Sequence, residues 1–206
     1  MQKPFLRRLT ITTHIAIALS VFAFTMPAAL AHEGHHHEHE VIKATGGEFT
    51  LTSANGPVSL ADFRGKVVAI YFGFSHCTDT CPLDLSRLGG ALKSLKPEEA
   101  EQIQPLFITL DPARDDAKRM AESSANYHPK LIGLTGTETE IADVTKAYGL
   151  HFKKGKVDAK GDYDIDHPSV IYLVGSNGEL LRALTQISSS TRIATALHQA
   201  LKPKKS

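Results

Sequence analysis

Residues 66 to 74, KVVAIYFGF, make an apolar run with no charge after Lys66. A strand with one wet face would alternate; a continuous run bounded by a turn reads as a central strand buried on both faces. Directly downstream, Leu85, Leu88, Leu92 and Leu95 recur at three- and four-residue steps, one face of a helix from Pro82 to Leu95. A sheet with a helix laid on it is therefore set by the first thirty residues of this region. EFTLTS, an NGP turn and a returning VSLADFRG precede the run as a short strand pair.

The alternation continues. PLFITL (105–110) predicts a strand, DDAKRMAESSANY (115–127) a helix, LIGL a short extended segment and ETEIADVTKAYG (138–149) a second helix. This βαβα order calls for a parallel-rich sheet. SVIYLVG (169–175), a turn at Ser176, Asn177 and Gly178, and ELLRALT (179–185) predict a hairpin, closed by a helix from about Ser190 to Leu201. A βαβ unit followed by ββα is the order of a thioredoxin-like α/β fold, a central mixed sheet flanked by helices, assigned to residues 46–201.

The flanks differ in texture. Lys3, Arg7 and Arg8 precede the apolar IAIALSVFAF (15–24), and MPAALA ends in an Ala29-x-Ala31 pattern. That is the layout of a secretory signal peptide over 1–31, since the run falls short of the roughly 20 residues needed to span a bilayer. Cleavage after Ala31 is expected, with an uncleaved membrane anchor as the alternative. HEGHHHEHE then opens a polar leader over 32–45, expected to be disordered, and residues 202–206 form a basic tail. Removing Lys3, Arg7 and Arg8 takes the formal charge from +1 to −2. Without a basic stripe there is no electrostatic footprint for nucleic acid.

Cys77 and Cys81 are the only cysteines, and they sit where the central strand feeds the helix. Export would place them in an oxidising compartment, where they are a disulfide, a redox dithiol or part of a metal site. Residues four apart on a helix have β-carbons about 5 to 6 Å apart, wider than the roughly 3.8 Å a disulfide prefers. Two thiolates around one ion are less constrained, at metal–sulfur bonds of about 2.3 Å. A helix N-terminus lowers thiol pKa values and so serves ligand and nucleophile alike. Spacing alone leaves metal and redox chemistry even. A third ligand would separate them, and Asp166-His167 precedes the hairpin strand, on a loop that faces the cysteines in such a fold. His167 is then a candidate ligand oriented by Asp166, against the plain alternative of a surface histidine in a turn. Two thiolates and an imidazole suit Cu(I), and with an open fourth position also zinc.

Together FRGKVVAIYFGFSHCTDTCP, LDPARD (110–115), AYG (147–149) and YDIDHPSVIYLV resemble the Sco/SenC family of copper-binding thioredoxin-like proteins. The resemblance spans about residues 46 to 201. It implies copper, as Cu(I) or Cu(II), held by Cys77, Cys81 and His167, with Asp79 as an auxiliary near the Cu(II) site. It also implies delivery to the dinuclear copper site of cytochrome c oxidase subunit II, with a periplasmic thiol reductant and a copper donor as further partners and the chain acting as a monomer. Membrane contact follows only if the signal is retained. Two departures stand out: Thr78 replaces a usual proline, loosening the cysteine turn, and Pro168 replaces a usual serine, stiffening the loop at His167. The alternatives are a thiol-disulfide oxidoreductase that keeps the oxidase's copper-site cysteines reduced through Cys77 and Cys81, and a periplasmic copper buffer or sensor. In the last, His32, His35, His36, His37 and His39 of the leader form a weak metal site.

Other polar residues read as structural. His76 adjoins Cys77, but neighbouring side chains diverge. His128, His151 and His198 carry no ligand spacing. Asp111, Pro112, Arg114 and Asp115 suggest a strand-end turn and a helix cap near Asp115, and Gly89-Gly90 a close packing contact or kink.

Overall fold

The computed structural model describes residues 44–202 apart from 186 and 188, so the predicted signal peptide, all but the last two residues of the histidine leader and the end of the basic tail lie outside the described residues. The elements are β1 (Thr50–Ser53), β2 (Gly56–Ser59), a 3-10 turn (Leu60–Phe63), β3 (Val67–Gly73), α1 (Thr80–Ser94), α2 (Pro97–Glu101) and β4 (Ile103–Thr109). After them come α3 (Ala117–Ala125), β5 (Ile132–Leu134), α4 (Glu138–Ala147), β6 (Lys153–Lys154), β7 (Ile165–Asp166), β8 (Ile171–Val174), β9 (Leu180–Leu184) and α5 (Ser190–Ala200).

Five strands form the main sheet in the order β5-β4-β3-β8-β9. β3 pairs parallel with β4 and antiparallel with β8, so the expected mixed sheet is present and the apolar run lies at its centre. All seven residues of β3 are buried. Side chains alternate across it. Tyr71 reaches Asp84 of α1, whereas Phe72 meets Tyr148 at the end of α4, with ring centroids 5.8 Å apart. Tyr172 of β8 completes that aromatic group at 5.7 Å from Phe72 and 5.3 Å from Tyr148. Edge-on aromatic pairs of this kind contribute about 0.5–1.5 kcal/mol each beyond their burial. The AYG motif is thus a core feature.

α1 packs on α5, and Gly90 explains how closely, while Gly89 admits the chain that follows α3. A β-carbon at Gly90 would stand 2.7 Å from Ser190 Oγ, and one at Gly89 would stand 2.5 Å from the Tyr127 carbonyl oxygen. The pair serves packing, and α1 runs through it unbroken.

Several boundaries depart from expectation for local reasons. LADF turns into a 3-10 helix because the Ser59 amide donates to Asp62 Oδ2 at 2.7 Å, which closes a cap where a strand was expected. α2 and the β6–β7 pair were not anticipated; at five and two residues they are too short to show a period. α3 is capped by Asp116, whose side chain accepts from the Arg119 amide, rather than by Asp115. α1 begins at Thr80, two residues before Pro82. Proline is tolerated there because first-turn amides have no helical acceptor. Among the described residues, no helix is long and apolar enough to cross a membrane.

Candidate functional site

The early start of α1 changes the geometry of the cysteines. Cys81 is the second residue of α1, while Cys77 lies in the loop from β3, so the two do not share a helix face. Instead the loop folds back until the Cys81 amide points at Cys77 Sγ, 3.4 Å away. Both are free thiols. Cys81 is 1% exposed and Cys77 partly exposed. Gly73, the last residue of β3, makes the pocket for Cys81: a β-carbon there would lie 3.0 Å from its sulfur and 3.0 Å from the Tyr71 ring.

His167 follows β7 and precedes β8. Because β8 runs antiparallel to β3 with Ile171 opposite Tyr71, the chain entering β8 passes the outgoing end of β3. His167 Nε2 stands 3.4 Å from Cys81 Sγ. The ring sits edge-on to Tyr71 and Phe74, with centroids 6.4 and 6.2 Å away. Its Nδ1 lies 3.1 Å from the Pro168 carbonyl oxygen, an acceptor only, so the proton belongs on Nδ1 and the lone pair on Nε2 faces the sulfur. Asp166 does not orient the ring as expected. It is exposed and belongs to the β6–β7 ladder opposite Lys153.

The thiols are electrostatically unequal. A hydrogen bond from Cys81 lowers the Cys77 pKa to about 6, burial opposes this, and the backbone amides of Cys81, Asp79 and Thr80 add to the lowering. Cys81 moves the other way: its hydrogen bond to Cys77 and its burial push its pKa well above the ordinary thiol range. Asp79 is exposed at the N-cap of α1 without a side-chain cap bond, so its amide serves Cys77 and its carboxylate stands at the rim. An open cleft of about 370 Å³ is lined by Cys77, Asp79, Asp164, Asp166 and His167 among others. The 3.4 Å between Cys81 Sγ and His167 Nε2 lies just inside the roughly 3.5 to 3.7 Å expected of a sulfur and a nitrogen sharing one ion, so a small opening of the pair would admit it. Among the described residues, no three His, Cys, Asp or Glu side chains form a ready-made metal cage.

Three residues that the sequence offers only as turn and cap chemistry support the site. Asp115, 0% exposed, accepts from the Ser75 amide at 2.9 Å, from the Ser75 hydroxyl and from Thr109 Oγ1 at 2.7 Å, and so holds the turn just ahead of Cys77. His76 Nδ1 also approaches Asp115, at 3.5 Å, which gives this histidine a structural partner. Asp111 and Arg114 act together on the other side. Tyr163 Oη donates to Asp111 Oδ1 at 2.7 Å, Arg114 pairs with Asp111 and Asp162, and its guanidinium lies 3.5 Å over the Tyr163 ring. LDPARD therefore grips the YDIDH segment. Its distance in sequence, 48 residues from Arg114 to Asp162, hides the pairing. Of the remaining histidines, His198 pairs with Glu99, His128 Nδ1 accepts from the Lys130 amide, and His151 is exposed.

The SCO1/SenC family model matches residues 37–202. A mitochondrial SCO2 homolog from Bos taurus is 40% identical over 71% of this chain and 58% of its own length. The chain thus spans a little over half of the curated relatives it matches. The crystal structure of yeast Sco1 with copper bound superposes with a TM-score of 0.71, at 34% identity over 79% of this chain and 91% of that one. A structure of BsSco, described as a member of the Sco family of cytochrome c oxidase assembly proteins, covers 78% of this chain and 96% of its own, with 26% identity and a TM-score of 0.60.

Proposed function

The chain belongs to the SCO1/SenC family, and from that premise we propose that it is an exported copper metallochaperone for cytochrome c oxidase. Cys77, Cys81 and His167 bind the copper, which passes to the dinuclear copper site of subunit II. The observation that carries this reading is the 3.4 Å approach of His167 Nε2, lone pair inward, to the buried sulfur of Cys81. Dithiol exchange alone has no use for an imidazole so placed. Copper is cargo here: Cys81 and His167 hold two of its positions, and Cys77, at the cleft wall, closes the set. Soft thiolates favour Cu(I). The lowered Cys77 pKa keeps that sulfur ionised at neutral pH, while Cys81 must give up its proton to the incoming ion.

A second reading has its own support. An accessible thiol of low pKa beside a buried thiol of high pKa is the asymmetry a disulfide reductase uses, the first attacking and the second resolving. In that role the protein would keep the oxidase's copper-binding cysteines reduced. In either role a periplasmic reductant must restore the thiols. The histidine leader, proposed as a weak gatherer of Cu(II) or Zn(II), and periplasmic placement belong to the same proposal.

Copper transfer from the reduced protein to an apo subunit II domain tests it. Cys77→Ser or Cys81→Ser should abolish high-affinity Cu(I) binding, and His167→Ala should weaken retention and transfer while the dithiol still cycles. Full oxidase loading by His167→Ala would transfer the assignment to the reductase reading.

A further inference from the structure

We propose that Asp84 is a positioning residue that sets the distance between the sulfur and imidazole halves of the site; the inference rests on the copper-site reading above. Asp84 lies on α1 three residues beyond Cys81 and is 2% exposed. A carboxylate so buried requires donors, and it has them from separate parts of the chain. Tyr71 Oη of β3 donates to Oδ2 at 3.2 Å, and the Ser169 hydroxyl donates to the same oxygen. Arg87 approaches Oδ1 at 3.5 Å and anchors its own guanidinium on the Ile187 carbonyl at 2.7 Å.

Those partners surround the metal-binding pair. Ser169 is two residues past His167, in the irregular segment that enters β8, so its bond ties the imidazole-bearing chain to the helix that carries Cys81. Tyr71 is one of the two rings, with Phe74, against which His167 stands edge-on, and Asp84 fixes its hydroxyl end. One carboxylate thus holds the strand, the helix and the histidine segment in a single register. Among the described residues, no other side-chain hydrogen bond ties the residues between His167 and β8 to α1, apart from the contact of His167 with Cys81 itself. The arrangement predicts that loosening the Ser169 bond moves the imidazole away from the sulfur without removing any ligand.

Ser169→Ala removes one arm and leaves Asp84 with its other donors, so the fold should persist, with an unchanged melting temperature within a few degrees as the control. Cu(I) affinity, titrated against a competing chelator, should fall about tenfold, the scale of one hydrogen bond to a charged group. Ser169→Thr, which keeps the hydroxyl, should restore it. In a His167→Ala background Ser169→Ala should cost nothing further, and the thiolate-to-Cu(II) absorption band should shift on Ser169→Ala only when His167 is present. Wild-type affinity in Ser169→Ala, or an equal loss with and without His167, would overturn the positioning role. If His167→Ala alone binds Cu(I) as tightly as the wild type, the copper-site reading itself falls, which is a separate result.

Discussion

The two sides of the site are built from different materials. On the sulfur side, Cys81 is buried under Tyr71 and Gly73, and the turn carrying Cys77 is tied to Asp115, which is itself 0% exposed. On the imidazole side, His167 rides on irregular chain between a two-residue strand and β8, gripped before by Arg114 and Tyr163 and behind by Ser169. Core burial holds the first, and discrete polar contacts hold the second. The contrast teaches where a chelate of this kind would open: ion pairs that are partly exposed contribute about 1 kcal/mol or less, below the roughly 1.5–3 kcal/mol that burying an apolar side chain supplies. On the copper-site proposal, the ion would leave most easily through His167.

Removing the support on the sulfur side should have the largest effect. Asp115→Ala would orphan the Ser75 amide and Thr109 Oγ1, at about 1–3 kcal/mol for each donor left dry, and would leave the half-buried Ser75 hydroxyl to His76 Nδ1. We expect at least roughly 2 kcal/mol of destabilisation in urea unfolding, together with loss of the order at Cys77 on which its low pKa depends. A stable variant with unaltered thiol reactivity would mean that the turn is held by other contacts.

Within the sulfur side only one of the two thiols should react in the folded protein, since only the thiolate attacks. With a pKa of about 6, Cys77 in the reduced, metal-free protein is mostly thiolate at pH 7. Its alkylation rate should be flat above about pH 7, halve near pH 6 and fall about tenfold per unit below that, whereas an ordinary thiol near 8.5 would still be rising at pH 7. The sign follows from the folded value lying below the unfolded one. Cys81, buried and shifted upward, should stay unlabelled until the protein unfolds. Peptide mapping after iodoacetamide treatment across pH 5 to 9 would read both; a Cys77 midpoint near 8.5 would contradict the hydrogen bonding described for its sulfur.

This division also explains what the sequence could disclose. The central strand, the leucine face of α1 and the hairpin were legible because burial imposes a period, and Cys77, Cys81 and His167 because their residue types are uncommon and chemically specific. Asp84 and Asp115 were not legible. Each is one acidic residue among many, and its meaning comes from partners 85 and 40 residues away, respectively. Arg114 looked like turn chemistry for the same reason: its bonds to Asp162 and Tyr163 exist only after folding. Asp166 shows the opposite error, since adjacency to His167 suggested an orienting bond that strand pairing turns outward.

The smallest effect should come from the leading grip on the imidazole side. Arg114 donates to the Tyr163 carbonyl at 2.9 Å, pairs with Asp111 and Asp162, and stacks over the Tyr163 ring, whose other cation is Lys154 at 3.6 Å. Its side chain is 18% exposed and Asp162 is 64% exposed, so water competes for part of the network. Tyr163 also keeps its own bond to Asp111 at 2.7 Å when the guanidinium is gone. Arg114→Ala should therefore cost about 1 kcal/mol of stability. Its effect on Cu(I) affinity should be smaller than that of Ser169→Ala, because Arg114 acts four residues upstream of His167 through a segment that retains a second tie. Arg114→Lys should not rescue it, since one ammonium cannot reproduce a planar fork that serves Asp111, Asp162 and a carbonyl together. The affinity loss should vanish when His167 is already alanine. A loss that persists without His167, or one as large as that of Asp115→Ala, would place Arg114 on the sulfur side of the site and dissolve the distinction between a core-held and a bond-held ligand.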